Sequence, residues 1–184
     1  MQMREIFYIL LLCRKIIWVT GDPKGMKIAI LAVGKIKEGF YRQAVQEFSK
    51  RLGRYCKLEI IEVPDEKTPD GAGEAAKRQI LEKEGERLLR HVKEEAWLCA
   101  LAIDGKMMDS VGFSEKIEKL GVSGVSHIQF AIGGSLGLSE SVLKRADFRL
   151  SFSEMTFPHQ LMRVILLEQI YRAYRIMMKE PYHK

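Results

Sequence analysis

The chain has 184 residues, of which 47% are hydrophobic and 29% charged, as in an ordinary soluble globular domain rather than a disordered chain. The net charge of +6 permits an anionic partner such as RNA without requiring one, because many basic proteins simply carry solvated lysines. Three cysteines and four histidines are scattered at no metal-ligand or redox spacing, which predicts reduced thiols in a cytoplasmic protein and no metal site.

The first 25 residues contain one apolar run, 6–13, which is followed by Arg14 and Lys15. Such a short run cannot span a bilayer, and no small-residue cleavage site follows it, as a secretory signal would require. A turn-forming Gly-Asp-Pro-Lys-Gly precedes Met26, where a clean strand pattern begins. We therefore expect 1–25 to be an extension outside the native fold. The alternative is an N-terminal helix that packs on the domain.

From Met26 onward, strand and helix patterns alternate. Short β-rich apolar runs predict five strands, at 27–34, 58–63, 97–103, 127–134 and 148–153. Helical patterns follow at 40–55, 74–92, 110–120, 140–146 and from 158 to about 178, and Pro and Gly mark 64–73 as a loop. Pro158 suits the first turn of its helix, where an N–H is not needed. This alternation predicts a single α/β domain, 26–184, with a largely parallel sheet.

The segment FAIGGSLGLS, 130–139, passes from a strand through three glycines into a helical pattern. A phosphate-binding Walker loop needs a lysine directly after its last glycine, but the next lysine here is Lys144. The spacing Gly-Gly-x-x-Gly also departs from the Gly-x-Gly-x-x-Gly of dinucleotide-binding folds. By spacing alone, this glycine turn either binds a ligand other than phosphate or is only a tight turn with close helix–strand packing.

Further motifs surround the glycine turn: KIAILAVGKIK, LEIIEVPDEK, ILEKEGERLL, LAIDGK, FSEMTFPH followed by QLMRVILLEQIYRA, and a final PYHK. Together they extend over 26–184 and closely resemble the RlmH family, the ribosomal RNA large-subunit methyltransferases H, which belong to the SPOUT class. The resemblance implies a SPOUT (α/β knot) fold, a mostly parallel sheet flanked by helices with a deep C-terminal trefoil knot. It also implies a homodimer that uses S-adenosylmethionine to methylate N3 of a pseudouridine in helix 69 of 23S rRNA, on assembled ribosomes.

The resemblance further implies three segments that bind the methyl donor. They are Leu101 on the third strand, Gly133 in the glycine turn, and the residues after the fifth strand, Phe152, Ser153, Glu154, Met155, Thr156 and Phe157. S-adenosylmethionine has a sulfonium cation and an adenine but no phosphate, so it needs no lysine from the turn. Leu101, Met155 and Phe157 can wall the adenine, while glycines let backbone groups approach it. A glutamate at 154 indicates backbone rather than side-chain contact.

Methyl transfer to nitrogen requires alignment of the donor with N3 and removal of the imide proton. We expect His183 and Tyr182, in the C-terminal tail, to close over the cofactor, within one chain or across a dimer. The alternative is that His183 is a frayed terminal residue. Arg163 is our candidate for contact with a substrate phosphate or uracil carbonyl. His159 either braces the start of the last helix or touches the substrate.

The last predicted helix carries two apolar stripes, one at 164, 167, 171, 174 and 178 and the other at 162, 166, 170, 173 and 177. A helix that is apolar on two faces is buried on two sides, so we expect one stripe to meet the sheet and the other a second subunit. Arg172, Arg175 and Lys179 form either a solvated surface or a strip that contacts RNA phosphates.

Two rival functions stay open: a non-catalytic ribosome-associated factor, and a SPOUT methyltransferase that acts on another RNA.

Overall fold

The computed structural model describes residues 25–182, and in that part of the chain five strands alternate with five helices. They are β1 (Lys27–Val33), α1 (Gly39–Leu52), β2 (Lys57–Val63), α2 (Glu74–Leu89), β3 (Trp97–Met107), α3 (Ser110–Val122), β4 (His127–Ile132), α4 (Glu140–Arg145), β5 (Phe148–Ser151) and α5 (His159–Met177). The predicted α/β alternation is confirmed. The prediction for residues 1–25 falls, apart from Gly25, outside the described residues.

The largest difference from prediction is the length of β3, which continues past Ile103 to Met107. Its second half pairs with β5 after an irregularity between Leu101 and Lys106. A Cβ on Gly105 would lie 2.7 Å from the backbone of Leu150, so glycine permits this close approach. Asp104 and Gly105, which follow the predicted strand 97–103, therefore lie inside a longer, irregular strand.

Within the described residues, the strands form one parallel sheet in the order β2-β1-β4-β3-β5. Strands of such a sheet are buried on both faces, which explains why β4 is apolar along most of its length and buried at every position. Because the strands are parallel, their carboxyl ends lie at the same edge of the sheet. The segments that follow β4 and β5 therefore meet at that edge.

Helices cover both faces of the sheet. Alternate residues of a strand point to opposite faces: Ile28 and Ile30 of β1 belong to the core beneath α1, α3 and α5, whereas Ala29 and Leu31 belong to the core beneath α2 and α4. None of the helices in residues 25–182 is long and apolar enough to cross a membrane.

Helix α5 lies between α1 and α3 and contacts both of them. The central residues of both predicted stripes are buried within the chain itself: Leu167, Tyr171 and Tyr174 on one stripe, and Leu166, Ile170 and Ala173 on the other. For these central residues, the expectation that a second subunit covers one stripe is therefore wrong. The physical reason is that two flanking helices, rather than the sheet alone, enclose α5. Met162, Val164, Met177 and Met178, at the ends of the stripes, are half-buried, and their cover by a second subunit stays a prediction.

Candidate functional site

The glycine turn, residues 133–137, links the end of β4 to the approach to α4. Gly134 and Gly137 form an antiparallel bridge, and the Gly137 N–H donates to the Gly134 carbonyl at 3.2 Å. A Cβ on Gly133 would overlap the Gly137 backbone. Gly137 itself has φ +90°, in the left-handed region that favours glycine. Ser139 then caps α4, because its hydroxyl accepts a hydrogen bond from the Val142 N–H at 3.3 Å.

The glycine turn forms one wall of a pocket of about 280 Å³ at the carboxyl ends of β4 and β5, beside residues 101–103 in the irregular part of β3. The structure brings together in this glycine-turn pocket all the sequence-predicted cofactor residues except Glu154: Leu101, Gly133, Phe152, Ser153, Met155, Thr156 and Phe157. Glu154 is exposed to solvent. Ile103, Leu136 and Met162 also line the pocket. Sequence reasoning missed these three, because an apolar residue in a strand, a turn or a helix carries no local sign that it faces a pocket.

The charge of the pocket restricts its ligand. No Lys, Arg, Asp or Glu is among the described residues that line it, and His159 is the one titratable side chain there. Burial, together with the Arg163 charge, lowers the pKa of His159, so its imidazole is uncharged near neutral pH. A phosphate group would find no cation in these walls, whereas an apolar ring system would be accommodated. Residues 25–182 also contain no cluster of His, Cys, Asp and Glu that could hold a metal ion.

Helix α2 supports the back of the glycine turn. Glu84 is 4% exposed, and its Oε1 accepts a hydrogen bond from the Glu66 N–H at 2.8 Å, in the loop after β2. A Cβ on Gly134 would lie 3.0 Å from Glu84 Oε2, and a Cβ on Gly85 would overlap the Ser139 side chain. Burial raises the pKa of Glu84. The segment around Glu84 and Gly85 therefore packs against both the loop after β2 and the glycine-turn region.

Arg163 does not face the solvent. It is 0% exposed, and its Nη1 lies 2.5 Å from Glu62 Oε1. Its Nη2 donates to the carbonyl oxygens of Val33 at 2.8 Å and Gly34 at 2.7 Å. This burial contradicts the prediction that Arg163 contacts RNA. Arg163 instead ties the start of α5 to the ends of β1 and β2.

The described part of the C-terminal tail packs on α5. The Tyr182 hydroxyl donates to Glu168 Oε1 at 3.1 Å, and its ring lies 4.9 Å, edge to face, from that of Tyr171. The Arg172 guanidinium lies 4.7 Å from the Tyr182 ring centroid. Tyr182 does not line the glycine-turn pocket of its own chain, which contradicts the expectation of closure within one chain. His183 lies outside the described residues.

The basic residues of α5 are engaged by nearby carboxylates. Arg172 pairs with Glu168, and Arg175 Nη1 lies 2.6 Å from Glu180 Oε2. The side chains of Arg172 and Arg175 are only 25% and 18% exposed. These contacts favour a structural surface over the alternative of a strip that binds RNA phosphates.

A parallel α/β sheet with a mostly apolar pocket at the carboxyl ends of its strands is the architecture of an enzyme that binds a small organic ligand at that edge. A family model described as "Predicted SPOUT methyltransferase" matches residues 26–183. A ribosomal RNA large subunit methyltransferase H from Bifidobacterium adolescentis is 62% identical over 159 residues, which are 86% of this chain and 100% of that protein. The chain therefore belongs to the SPOUT methyltransferases and, within them, to the family of ribosomal RNA large subunit methyltransferases H.

Other relatives agree. A methyltransferase H 1 from Clostridium perfringens strain SM101 is 58% identical, and a methyltransferase H from Clostridium botulinum is 59% identical, each over 86% of this chain and 100% of the relative. A solved structure of a probable methylase family protein from Haemophilus influenzae Rd KW20 aligns with a TM-score of 0.48 and 9% identity, over 85% of this chain and 67% of that chain. That likeness is too distant to carry an argument.

Proposed function

We propose that the glycine-turn pocket binds S-adenosylmethionine as a methyl donor. The observation that carries this proposal is the convergence of Leu101, Gly133 and the segment after β5 on one apolar pocket without a cation. An adenine suits the apolar walls, and the backbone of the glycine turn supplies polar groups at close range. S-adenosylmethionine contains no phosphate, which fits walls that lack Lys and Arg.

The proposed substrate is N3 of a pseudouridine in helix 69 of 23S rRNA, on assembled ribosomes in the cytoplasm. Support comes from relatives named ribosomal RNA large subunit methyltransferase H, which this chain matches over their whole length. The net charge of +6 is compatible with an RNA substrate. An enzyme that methylates another RNA would use the same pocket. Assays with ribosomes and with other RNAs as substrates distinguish the two activities.

The residues of this chain have separate tasks in the proposed reaction. S-adenosylmethionine supplies the electrophilic methyl group when it is bound. Leu101 and Phe157 hold its apolar part, and the glycine turn fixes its position relative to N3. His159 lines the pocket, and its lowered pKa leaves the imidazole free to accept the imide proton. Tyr182 and His183 are proposed to reach the pocket of a second subunit.

A homodimer is therefore part of the proposal, as is the C-terminal trefoil knot of SPOUT proteins. Two apolar side chains at the pocket, Ile103 and Met155, are 58% and 71% exposed. Large exposed apolar groups at a pocket are expected where a second subunit covers the surface. Light scattering after size-exclusion chromatography tests this, because Ile103→Asp should shift the mass from dimer toward monomer.

The first experiment is a calorimetric titration of S-adenosylmethionine into the protein, followed by methylation of bacterial ribosomes. Saturable binding and transfer to N3 of pseudouridine support the proposal. A folded dimer that binds no S-adenosylmethionine favours a non-catalytic ribosome-associated factor. Binding with transfer only to tRNA favours a SPOUT methyltransferase with another substrate.

A subunit-mixing experiment tests whether the C-terminal tail of one subunit reaches the glycine-turn pocket of the other. A chain with Gly133→Val lacks a working pocket, because the added side chain overlaps the Gly137 backbone, and a chain without residues 182–184 lacks the tail. If one subunit's tail serves the other's pocket, a mixed dimer of the two inactive variants recovers one working site. Absence of recovery in a demonstrated mixed dimer would remove the tail from the proposed mechanism.

A further inference from the structure

Two further clefts continue from the glycine-turn pocket along the edge strand β5. The pocket and the first cleft share the lining residues Leu150, Ser151 and Phe152. The first cleft shares Met108 with the second, which has a volume of about 510 Å³ and reaches Phe148. Phe148 and Phe152 are separated by roughly 13 Å of extended chain. The glycine-turn pocket and the two clefts therefore adjoin one another along β5.

The second cleft is lined by Lys106, Lys116 and Lys119 and by no carboxylate among the described residues; we name it the lysine cleft. Lys119 Nζ lies 3.3 Å from Glu115, but the two side chains are 78% and 57% exposed. Such an exposed pair contributes little and leaves the lysine available to another anion. Three positive charges thus meet on one concave surface.

Lys116 is held in place by aromatic rings. Its Nζ lies 4.0 Å from the ring centroid of Phe148 and 5.1 Å from that of Trp97, and the two rings stack at 5.9 Å. Attraction between an ammonium and an aromatic face restrains the side chain. A restrained cation loses less conformational entropy when it binds an anion, so Lys116 is better prepared for a phosphate than a free surface lysine.

The opposite side of the glycine-turn pocket has a different charge. A cleft there, lined by residues 65–72 with Lys77, Ser135 and Leu136, contains three carboxylates and two lysines. We name it the loop cleft. Its carboxylates, Asp65, Glu66 and Asp70, disfavour a phosphate chain. The net charge of the lining side chains is therefore positive in the lysine cleft and negative in the loop cleft.

We propose that the lysine cleft binds the phosphate backbone of the RNA substrate beside the nucleotide that enters the glycine-turn pocket. The RNA then leaves the pocket along β5 toward α3, away from the loop cleft. This inference rests on the proposed function, because it takes RNA as the substrate. Phosphate contacts of this kind position an RNA without reading its sequence, so the lysine cleft supplies affinity and direction and leaves base selection to the pocket.

A pair of charge-matched double variants tests this proposal. Lys106→Gln/Lys119→Gln removes two charges from the lysine cleft and leaves the aromatic packing of Lys116 intact. Lys67→Gln/Lys77→Gln removes the same number of charges from the loop cleft. Fluorescence anisotropy with a labelled ten-nucleotide oligouridine measures RNA binding without catalysis, at 50 and 200 mM salt. For the wild type and both double variants, calorimetric titration measures the affinity for S-adenosylmethionine, and methylation of ribosomes measures kcat/KM.

Two phosphate contacts to single-stranded RNA contribute roughly a sevenfold loss of affinity between 50 and 200 mM salt. The lysine-cleft variant should lose that part of the salt dependence, with lower kcat/KM for ribosomes and unchanged affinity for S-adenosylmethionine. The loop-cleft variant should behave as the wild type. Equal effects of the two double variants, or none of either, would overturn the proposal. A wild-type protein that binds no S-adenosylmethionine would instead contradict the proposed function, and the oligonucleotide comparison would still decide the lysine cleft.

Discussion

Arg163 at the start of α5 and Glu62 near the end of β2 are 101 residues apart in the sequence and form an ion pair at 2.5 Å. The guanidinium also donates hydrogen bonds to two backbone carbonyl oxygens at the end of β1, so three separate segments meet at this one side chain. His159, four residues earlier, lines the glycine-turn pocket. The ion pair therefore holds in place the helix start that contributes to the site.

Loss of the Arg163 guanidinium should destabilise the fold. We expect Arg163→Ala to lower the free energy of unfolding by about 3 kcal/mol, because Glu62 and two carbonyls lose their partner. Urea denaturation measures this. The control is Lys144→Ala: the Lys144–Glu140 pair is exposed, so the change should stay below about 0.5 kcal/mol. An Arg163→Ala protein with wild-type stability but weaker RNA methylation would instead restore Arg163 as an RNA contact.

The glycine turn should not tolerate even one methyl group at Gly133. A Cβ there overlaps the Gly137 backbone, so Gly133→Ala should distort the pocket wall and weaken S-adenosylmethionine binding more than about tenfold, which corresponds to about 1.4 kcal/mol. Calorimetric titration measures the affinity. Gly39→Ala is the matched control, because nothing lies within 4 Å of its added Cβ. Unchanged binding in Gly133→Ala would refute the assignment of the turn to the cofactor.

Glu84 should control the order of the loop after β2. Glu84→Leu leaves the Glu66 N–H without its acceptor, at a cost of about 1–3 kcal/mol. We therefore expect hydrogen exchange at the Glu66 amide to accelerate roughly tenfold or more. Glu84→Gln keeps an oxygen for this bond and should retain most of the protection. Equal exchange rates in the two variants would show that the hydrogen bond does not restrain the loop.

Acid should destabilise the protein in part through His159. Burial lowers the pKa of His159 in the folded state, so the unfolded state binds the proton more readily. Stability is therefore lost as pH falls through the ordinary histidine pKa, near 6.5, and the loss is complete below the lowered folded-state pKa. We expect His159→Gln to lose less stability than the wild type between about pH 7.5 and 5.5, as measured by urea denaturation.

Two other buried groups with shifted pKa values are present in both proteins of that comparison. Burial also lowers the pKa of His127, which adds to the loss in acid, and raises the pKa of Glu84, which opposes it. His127→Gln should consequently reduce the acid loss as well. If His159→Gln and the wild type lose the same stability, protonation of His159 does not contribute.

The C-terminal residues should matter more for turnover than for stability. Deletion of residues 182–184 removes the contacts of Tyr182 with Tyr171 and Glu168, which we expect to cost about 1 kcal/mol. Turnover on ribosomes should fall much further if the tail completes a second subunit's site. Tyr182→Phe keeps the ring packing and removes the hydroxyl. It therefore separates the contribution of the ring contact with Tyr171 from that of the hydrogen bond to Glu168. Wild-type turnover in the deletion variant would contradict a role for the tail.

Much of the fold could be predicted because burial leaves a local pattern. A strand covered on both faces must be apolar along most of its length, as β1 and β4 are, and a turn without room for a Cβ must use glycine, as at Gly133. The motifs of the chain then indicated the family. The prediction of the cofactor residues depended on that resemblance, since the spacing of the glycine turn alone left its ligand open.

The alternation of strands and helices, the glycine turn and the family can thus be read from the residues alone. The burial of Arg163, the enclosure of the central part of both α5 stripes by α1 and α3, and the packing of Tyr182 on its own helix appear only in the folded chain. An apolar period reports whether a residue is buried, whereas the partner of a polar side chain is set by segments that are distant in the chain. Arg163 and the lysines of the lysine cleft carry the same kind of charge. The surroundings of each side chain, rather than its residue type, bury Arg163 and leave the three lysines at least partly accessible to solvent.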